Sequence, residues 1–201
     1  TAHGFHFYRG APLYNQLAFY PVEWNLARYT DILVTINSED YRAARRLPLR
    51  RGGKVFQLPG VGLDRREFSP LPPAERAILR QRLGVAPEEF FLLSVGELNQ
   101  NKNHQVVLEA LSRLKRRGCL EGIRYGICGE GFARPQLEEE IRARGLTQVV
   151  TRYGYRPDIP QMVGCADATV FPSRREGLGM AGLESLAMGV PVLAADNRGT
   201  R

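Results

Sequence analysis

Residues 167–194 read DATVFPSRREGLGMAGLESLAMGVPVLA, and the order of residue types predicts a strand, a turn, a helix and a second strand. Residues 167–173 form an apolar run that ends in a turn. Two glutamates, Glu176 and Glu184, bracket the glycine-rich segment that follows. Backbone N–H groups at a helix start can face an anion, and glycines let a ligand come close to the main chain. The pattern therefore predicts an anion site, well suited to a diphosphate, on this turn.

From about residue 86 onward, strand-like runs alternate with helical patterns. The predicted strands are 90–95, 123–128 and 149–153, and the predicted helices are 106–114, 135–144 and 159–165. Such alternation indicates βαβ units, and hence an α/β fold with a parallel sheet covered by helices on both faces. Ligands of such sheets bind at the carboxyl ends of the strands, where this chain places its glycine turns.

The first part of the chain resembles a piece of a similar unit. Residues 31–36 predict a strand, Ser38 can cap a helix over 39–47, and 54–58 predict another strand. A Pro- and Gly-rich connection follows, which places a domain boundary near residue 68 and gives domains 1–68 and 69–201. The first domain is too short to be complete and the chain stops after a strand, so we expect a fragment that lacks sequence at both ends.

Composition limits the kinds of partner. The 201 residues include 43% hydrophobic residues, enough for a packed core, and carry a net charge of +7, which favours an anionic partner. Basic side chains cluster within 42–54, where a membrane-facing or acceptor-facing role and an ordinary solvated surface fit equally well. We expect no nucleic acid partner, because zinc-ligand spacing, a helix-turn-helix signature and an RNP-like strand are all missing from the sequence.

Three cysteines, Cys119, Cys128 and Cys165, form no CxxC pair, which predicts reduced and mostly buried thiols rather than a zinc site or a disulfide framework. No run approaches the roughly 20 apolar residues that span a bilayer. We therefore expect a cytoplasmic protein.

Five segments, in the same order as in a known family, span nearly the whole chain. They are TAHGFHFYRGAP (1–12), PGVGLDRREF (59–68), SVGELNQNKNH (94–104), CGEGFARPQLE (128–138) and the long segment 154–194. The chain resembles the retaining GT-B glycosyltransferases of family four, also called glycosyltransferase group 1. The first and third segments look most like the bacterial branch that extends lipid-linked capsular or exopolysaccharide precursors.

The resemblance implies two Rossmann-like domains with parallel sheets. Residues 1–68 would be the C-terminal part of an acceptor-binding domain, and 69–201 a donor-binding domain that lacks its C-terminal end. The implied reaction moves a sugar from a nucleotide-diphosphate sugar, which we expect to be a UDP-sugar, to a lipid-linked saccharide or polysaccharide precursor with retention of configuration. The implied enzyme needs no metal or cofactor and works at the inner face of the plasma membrane, where it can contact anionic lipid peripherally.

The resemblance also assigns roles to individual residues. Glu184 is expected to accept hydrogen bonds from the donor ribose, and Glu176 from hydroxyls of the transferred sugar. Without the surrounding segments, the same two acids would fit a surface face and a helix N-terminus equally well. Lys102 is expected to neutralise the donor diphosphate, together with the N–H groups of Gly177, Leu178 and Gly179.

The family pattern has an arginine after the first glycine of the third segment, but in this chain Glu97 follows Gly96. One of the two basic residues that the family places at the donor diphosphate, the partner of Lys102, is therefore missing. Asn101, Asn103 or an arginine from elsewhere are open as its replacement. His3 matches the family's acceptor-domain histidine, so that the implied catalytic residues are His3, Lys102 and Glu176. The wall that binds the base is assigned to Gly129, Gly131, Tyr155 and Arg156.

Two alternatives remain open from the sequence. The same fold could serve a nucleotide-sugar epimerase or a phosphorylase, in which the reaction differs but the donor site does not. The chain could also be a non-catalytic nucleotide-binding fragment, and we expect the fragment alone to be inactive. The identity of the sugar, its linkage and the exact acceptor do not follow from the sequence.

Overall fold

The computed structural model describes residues 4–8, 10–60, 62–197 and 199–200. The chain divides into two compact units. Among the described residues, the first unit runs to Gly62 and also includes Glu176–Leu178, and the second comprises Leu63–Arg175 and Gly179–Thr200. The division lies ahead of the boundary predicted near residue 68, because Phe68 already packs against a core of the second unit.

The first unit contains two helices and a parallel pair of strands. Its elements are α1 (Leu13–Ala27), β1 (Ile32–Thr35), α2 (Ser38–Ala44) and β2 (Lys54–Gln57). Strands β1 and β2 pair with Ile32 opposite Lys54, which confirms the two predicted strands. The cap of α2 is Asn37 rather than the predicted Ser38, because Asn37 Oδ1 accepts the Asp40 N–H at 2.8 Å. The hydrophobic core of the first unit is small and is formed by Phe5, Ala27, Ala44 and Leu47.

The second unit is a five-stranded parallel sheet with helices on both faces, as the alternation predicts. Its strands are β3 (Phe90–Val95), β4 (Ile123–Cys128), β5 (Val150–Gly154), β6 (Ala168–Phe171) and β7 (Val192–Ala194). The helices are α3 (Pro73–Arg82), α4 (His104–Arg116), α5 (Arg134–Ala143), α6 (Ile159–Cys165) and α7 (Met180–Ala187). The strand order is β5-β4-β3-β6-β7, and all neighbouring strands are parallel. The sequence predicts no element where α3 lies.

Two hydrophobic cores sandwich this sheet. Successive side chains of a strand point to opposite faces of the sheet. On β3, Phe91 and Leu93 point to the core against α6, whereas on β4, Tyr125 and Ile127 point to the core against α4 and α5. Cys128 and Cys165 are buried in the first of these cores and Cys119 is exposed, which fits the prediction of free and mostly buried thiols. Burial raises the pKa of Cys128 to about 12 and that of Cys165 to about 11.

A buried ion pair ties the start of β6 to α3 and β3. Arg80 is 5% exposed, and its Nη1 donates to Asp167 Oδ2 at 2.9 Å and to the Cys165 carbonyl oxygen at 3.0 Å. Asp167 Oδ2 also accepts the Phe91 N–H at 2.7 Å, and Oδ1 accepts from Arg76 at 2.6 Å. Burial opposes ionisation of Asp167, but these hydrogen bonds outweigh it and lower the pKa of the carboxyl.

We predict that Asp167→Asn lowers the free energy of unfolding by about 3 to 5 kcal/mol at pH 7, because the buried Arg80 loses the carboxylate to which it is hydrogen-bonded. Since the pKa of Asp167 is lowered in the folded state, its stabilising contribution is present above the unfolded pKa and is lost as the pH falls through the folded pKa. Urea unfolding followed by circular dichroism measures both effects.

The matched control for Asp167→Asn is Glu139→Gln, which removes an exposed carboxylate paired with Arg142 at 2.8 Å. This change should alter the free energy of unfolding by about 0.5 kcal/mol or less, as exposed pairs contribute little. Equal losses in the two variants would show that the Asp167 pair does not hold the sheet to α3.

Candidate functional site

The candidate site lies at the carboxyl edge of the five-stranded sheet, where the strand order reverses. The chain proceeds from β3 outward to β4 and β5, and then returns to place β6 on the other side of β3. The loops that leave β3 and β6 therefore lead to helices on opposite faces of the sheet, and ligands of such sheets bind at this point of the edge. The sequence motifs 94–104 and 167–179 supply these two loops.

Three glycines let the strand ends of this edge approach one another closely. Gly96 N–H donates to the Cys128 carbonyl oxygen at 2.9 Å, and Gly129 N–H donates to the Gly154 carbonyl oxygen at 2.7 Å. A Cβ at Gly129 would lie 1.9 Å from the Gly96 carbonyl oxygen, and a Cβ at Gly131 would lie 2.3 Å from that of Leu98. Only glycine fits at Gly129 and Gly131, so the packing of the backbone is enough to explain why glycine occupies both positions. Their contact with a nucleotide base stays a prediction.

Hydrogen bonds from two asparagines join the β3–α4 loop to the β6–α7 loop. Asn101 is held twice, because its carbonyl oxygen accepts the Arg174 N–H at 2.8 Å and its Nδ2 donates to the Arg175 carbonyl oxygen at 2.9 Å. Asn103 has a positive φ of 54° and donates from Nδ2 to the Pro172 carbonyl oxygen at 3.2 Å. Both amides considered as replacements for the missing arginine are thus used to connect the two loops.

Lys102 lies in this joined loop and passes over Gly96. Its Cε is 3.2 Å from the position that a Cβ on Gly96 would occupy, so glycine leaves room for the aliphatic stem of the lysine. The Lys102 N–H donates to Asn99 Oδ1 at 3.0 Å, which fixes the backbone of the turn. Burial, and then the charge of Lys102, lower the pKa of the nearby His104 to about 4. The structure thus brings Lys102 and Gly96 together, and their role at a donor diphosphate stays a prediction.

The residue that stands in place of the family's arginine turns toward its own loop. Glu97 is exposed, and its Oε2 accepts a hydrogen bond from Asn99 Nδ2 at 3.0 Å. A carboxylate here repels a second anion, so the positive charge at this edge depends more strongly on Lys102.

The predicted base-binding turn follows β5. Tyr155 is 79% exposed, which leaves its ring open to stacking. Arg156 forms two hydrogen bonds with Asp158, at 2.7 Å and 2.5 Å. This pairing raises the pKa of Arg156 and lowers that of Asp158, so Arg156 is largely neutralised by its neighbour. The base-binding roles of Tyr155 and Arg156 stay predictions.

Glu184 lies on α7 and is half-buried. Among the described residues its side chain has no hydrogen bond and no ion pair. Burial, and then the charge of Glu67, raise the pKa of Glu184. A carboxylate that is partly withdrawn from water and has no cation is costly for the fold, and such groups concentrate at functional sites.

Helix α7 begins without a side-chain cap. Its N-cap is Gly179, with a φ of 52°, and glycine has no side chain that could bond the first N–H groups. Glu176, Gly177 and Leu178 cluster with the first unit, where Leu178 Cδ2 is 3.0 Å from the position of a Cβ on Gly60. His3 lies outside the described residues. The roles of His3 and of residues 176–178 therefore stay predictions.

A separate cavity of about 270 Å³ lies beside the β3–α4 loop. Its lining includes Leu98, Gln105 and Arg174, together with Asn103 and His104 at the end of the loop that carries Lys102. In the part of the chain that the structure describes, no three His, Cys, Asp or Glu side chains are grouped so that they could hold a metal ion. Metal-independent chemistry nevertheless stays a prediction.

Comparisons with known proteins agree with this architecture. The family model described as "Glycosyl transferases group 1" matches residues 75–201. EpsD of Bacillus subtilis (strain 168), which is named as a glycosyltransferase, is 41% identical over 201 residues, which are 100% of this chain and 52% of EpsD. Alpha-D-kanosaminyltransferase of Streptomyces kanamyceticus is 39% identical over 128 residues, covering 63% of this chain and 32% of that protein. The chain thus spans about half of EpsD and a smaller share of the second relative.

Solved structures show the same fold. Anabaena HepE in complex with UDP-glucose superposes with a TM-score of 0.80 at 24% identity, over 98% of this chain and 53% of HepE. WaaG, a glycosyltransferase involved in lipopolysaccharide biosynthesis, superposes with a TM-score of 0.76 at 21% identity, over 95% of this chain and 53% of WaaG. Both have the GT-B architecture, so the parallel sheets described above are parts of a GT-B fold. On the match of the family model, the chain belongs to the glycosyl transferases group 1 family.

Proposed function

We propose that this chain contains the donor-binding part of a retaining glycosyltransferase that moves a sugar from a UDP-sugar to a lipid-linked saccharide or polysaccharide precursor. The observation that carries the proposal is the half-buried carboxylate of Glu184, which has no side-chain partner among the described residues and a raised pKa. A ligand that brings hydroxyl donors would satisfy it.

The chemistry of Glu184 fits a ribose. An ionised carboxylate only accepts hydrogen bonds, and its two oxygens can take both hydroxyls of a vicinal diol. Partial burial strengthens such bonds, because water competes less for the carboxylate. The same withdrawal from water that makes Glu184 costly in the free protein therefore makes it effective toward a donor ribose.

Lys102 is the proposed partner of the diphosphate. As the glycosidic bond breaks, negative charge develops on the leaving diphosphate, and fixed positive groups stabilise that charge best. The joined β3–α4 loop holds the lysine backbone before any ligand arrives. The uncapped start of α7 at Gly179 supplies further N–H donors of the right polarity.

Known relatives support the class of donor. The Anabaena HepE structures contain UDP, UDP with glucose, or UDP-glucose, and EpsD is named as a glycosyltransferase. We extend a UDP-sugar donor to this chain as part of the proposal. Retention would follow from a front-face displacement assisted by the departing diphosphate, with Glu176 near the transferred sugar and His3 on the acceptor side.

The first unit has features that suit an anionic membrane surface, where a lipid-linked acceptor would lie. Helix α1 exposes Leu13, Leu17 and Leu26, and exposed arginines on the same unit include Arg45 and Arg50. Apolar and cationic groups together bind anionic lipid. No helix among the described ranges is long and apolar enough to cross a membrane. We propose peripheral contact at the inner face of the plasma membrane.

Product analysis tests the reaction. The full-length protein that contains this chain is incubated with a panel of UDP-sugars and a lipid-linked acceptor. Free UDP together with lipid-linked sugar is the expected result. An isomerised UDP-sugar would instead indicate an epimerase, and a sugar phosphate would indicate a phosphorylase.

We predict that Glu184→Gln weakens UDP binding about 10- to 100-fold, because an amide replaces charge-assisted acceptors with weaker ones. Isothermal titration calorimetry of the chain with UDP measures this loss. Glu139→Gln, an exposed change on α5, is the control and should bind UDP as the original chain does.

The same substitution should not lower the stability of the fold. The raised pKa of Glu184 means that its protonated form adds stability below the unfolded pKa, and that this contribution is lost as the pH rises through the folded pKa. At neutral pH the ionised carboxylate therefore costs stability, and Glu184→Gln should unfold at the same or a higher urea concentration. Lower stability together with unchanged UDP affinity would contradict a donor-binding role.

We predict that Lys102→Met also weakens UDP binding about 10- to 100-fold, because the substitution keeps the stem over Gly96 but removes the ammonium. Uridine, which has no diphosphate, should bind equally to both proteins. NMR titration of His104 gives an independent check, since its pKa should rise from about 4 once the neighbouring charge is gone. Equal losses for UDP and uridine would show that Lys102 does not bind the diphosphate.

A further inference from the structure

A buried hydrogen-bond chain lies beneath the loop that carries Lys102. His104 Nδ1 is 3.3 Å from the Tyr125 hydroxyl, which is 2.8 Å from Ser94 Oγ, and Ser94 Oγ donates to the Val170 carbonyl oxygen at 2.8 Å. Ser94, Tyr125 and His104 are 1%, 0% and 6% exposed. This series of hydrogen bonds therefore links His104, the first residue of α4, to three adjacent strands, β4, β3 and β6.

The direction of each hydrogen bond follows from counting hydrogens. The Val170 carbonyl oxygen can only accept, so the single hydroxyl hydrogen of Ser94 points to it. Ser94 Oγ must then accept the hydrogen of Tyr125. Because the Tyr125 hydrogen is used on Ser94, the Tyr125 oxygen can only accept from His104, and Nδ1 of His104 must carry a hydrogen.

His104 is accordingly a neutral imidazole with its proton on Nδ1. Burial, and then the charge of Lys102, lower the pKa of His104 to about 4, so the second nitrogen is unprotonated at neutral pH. Within the described part of the chain, Nε2 is buried and has no hydrogen-bond partner. The ring therefore places no positive charge beside Lys102 and is held only through Nδ1.

This bond anchors a helix start that lacks an ordinary cap. Asn103 is the N-cap of α4, yet its side chain makes no cap hydrogen bond and donates instead to the Pro172 carbonyl oxygen. Lys102 is separated from His104 by Asn103 alone. The asparagines thus hold the loop to the β6–α7 loop, and His104 holds the end of the loop to Tyr125 of β4.

We propose that Ser94, Tyr125 and His104 are positioning residues, which hold the start of α4 so that the Lys102 ammonium meets the donor diphosphate. The inference rests on the proposed function. It assigns a purpose to a buried polar chain whose members would otherwise be replaceable by apolar residues at little cost.

The decisive comparison is between Tyr125→Phe and Tyr153→Phe. Both substitutions delete one tyrosine hydroxyl from the same sheet, but Tyr153 is partly buried, packs against the core on the other face from α4 and donates to the Leu83 carbonyl oxygen at 3.2 Å. For Tyr125→Phe we expect UDP to bind about tenfold more weakly, while uridine affinity is unchanged. For Tyr153→Phe we expect the ratio of UDP to uridine affinity to stay at the value of the unmodified chain.

Nitrogen-15 NMR of the histidine rings supplies a signature that a purely structural role would not give. In the unmodified chain at pH 7, His104 should show a protonated Nδ1 and a bare Nε2, and Tyr125→Phe should abolish this preference. A bare Nδ1 in the unmodified chain would overturn the assignment of the hydrogen-bond chain.

Variants at His104 keep the test decisive if Tyr125→Phe does not fold. Asn has an N–H donor near the place of Nδ1, so His104→Asn should keep the UDP to uridine ratio and His104→Ala should lower it about tenfold. Weaker UDP binding in Lys102→Met but not in Tyr125→Phe or His104→Ala would overturn the positioning role while leaving the proposed function intact. No UDP binding by the unmodified chain would overturn both.

Discussion

Backbone contact between Gly96 and Gly129 sets the geometry of the carboxyl edge of the five-stranded sheet. The Gly96 carbonyl oxygen occupies the space that a side chain at Gly129 would need, at 1.9 Å from its Cβ position. Strand ends this close allow the Gly96 N–H to bond Cys128 and the Gly129 N–H to bond Gly154. The missing side chain at Gly96 also gives the Lys102 stem its path. Any larger residue at these turns would displace the loop on which the charge of the site depends.

The charged groups around this edge are not equivalent. Arg156 is neutralised by Asp158, and Glu97 accepts from Asn99. Lys102 lies near an uncharged His104, whose pKa is lowered by burial and by Lys102 itself. Glu184 has neither cation nor donor among the described residues and is partly withdrawn from water. Glu184 is therefore the carboxylate of this edge that best suits the hydroxyls of a ligand, and Lys102 is the proposed partner of its phosphates.

The sequence alone predicts most of the second unit. Alternating apolar runs locate β3 to β6, and glycine turns mark their carboxyl ends, because local periodicity and turn chemistry suffice for both. The sequence does not predict helix α3, because prolines surround its start. The N-cap of α2 is Asn37, one residue before the predicted Ser38. Element boundaries of this kind depend on side-chain geometry that a pattern does not contain.

The site is predicted less completely than the fold. Lys102 and Gly96 lie close in sequence, and the structure brings them together. Ser94 and His104 are the two ends of the segment 94–104, but Tyr125 lies on the neighbouring strand and meets them only through the register of β3 with β4, so no local signal predicts the three-residue hydrogen-bond chain. The asparagines of the 99–103 loop alternate in the sequence, but only the structure shows that two of them bind the β6–α7 loop.

The most direct test of this account is a crystal structure of the chain with bound UDP. The account predicts both ribose hydroxyls within hydrogen-bond distance of the Glu184 carboxylate and the diphosphate against the Lys102 ammonium. UDP bound elsewhere, for example in the cavity of about 270 Å³ beside Arg174, with Glu184 and Lys102 both in water, would contradict it.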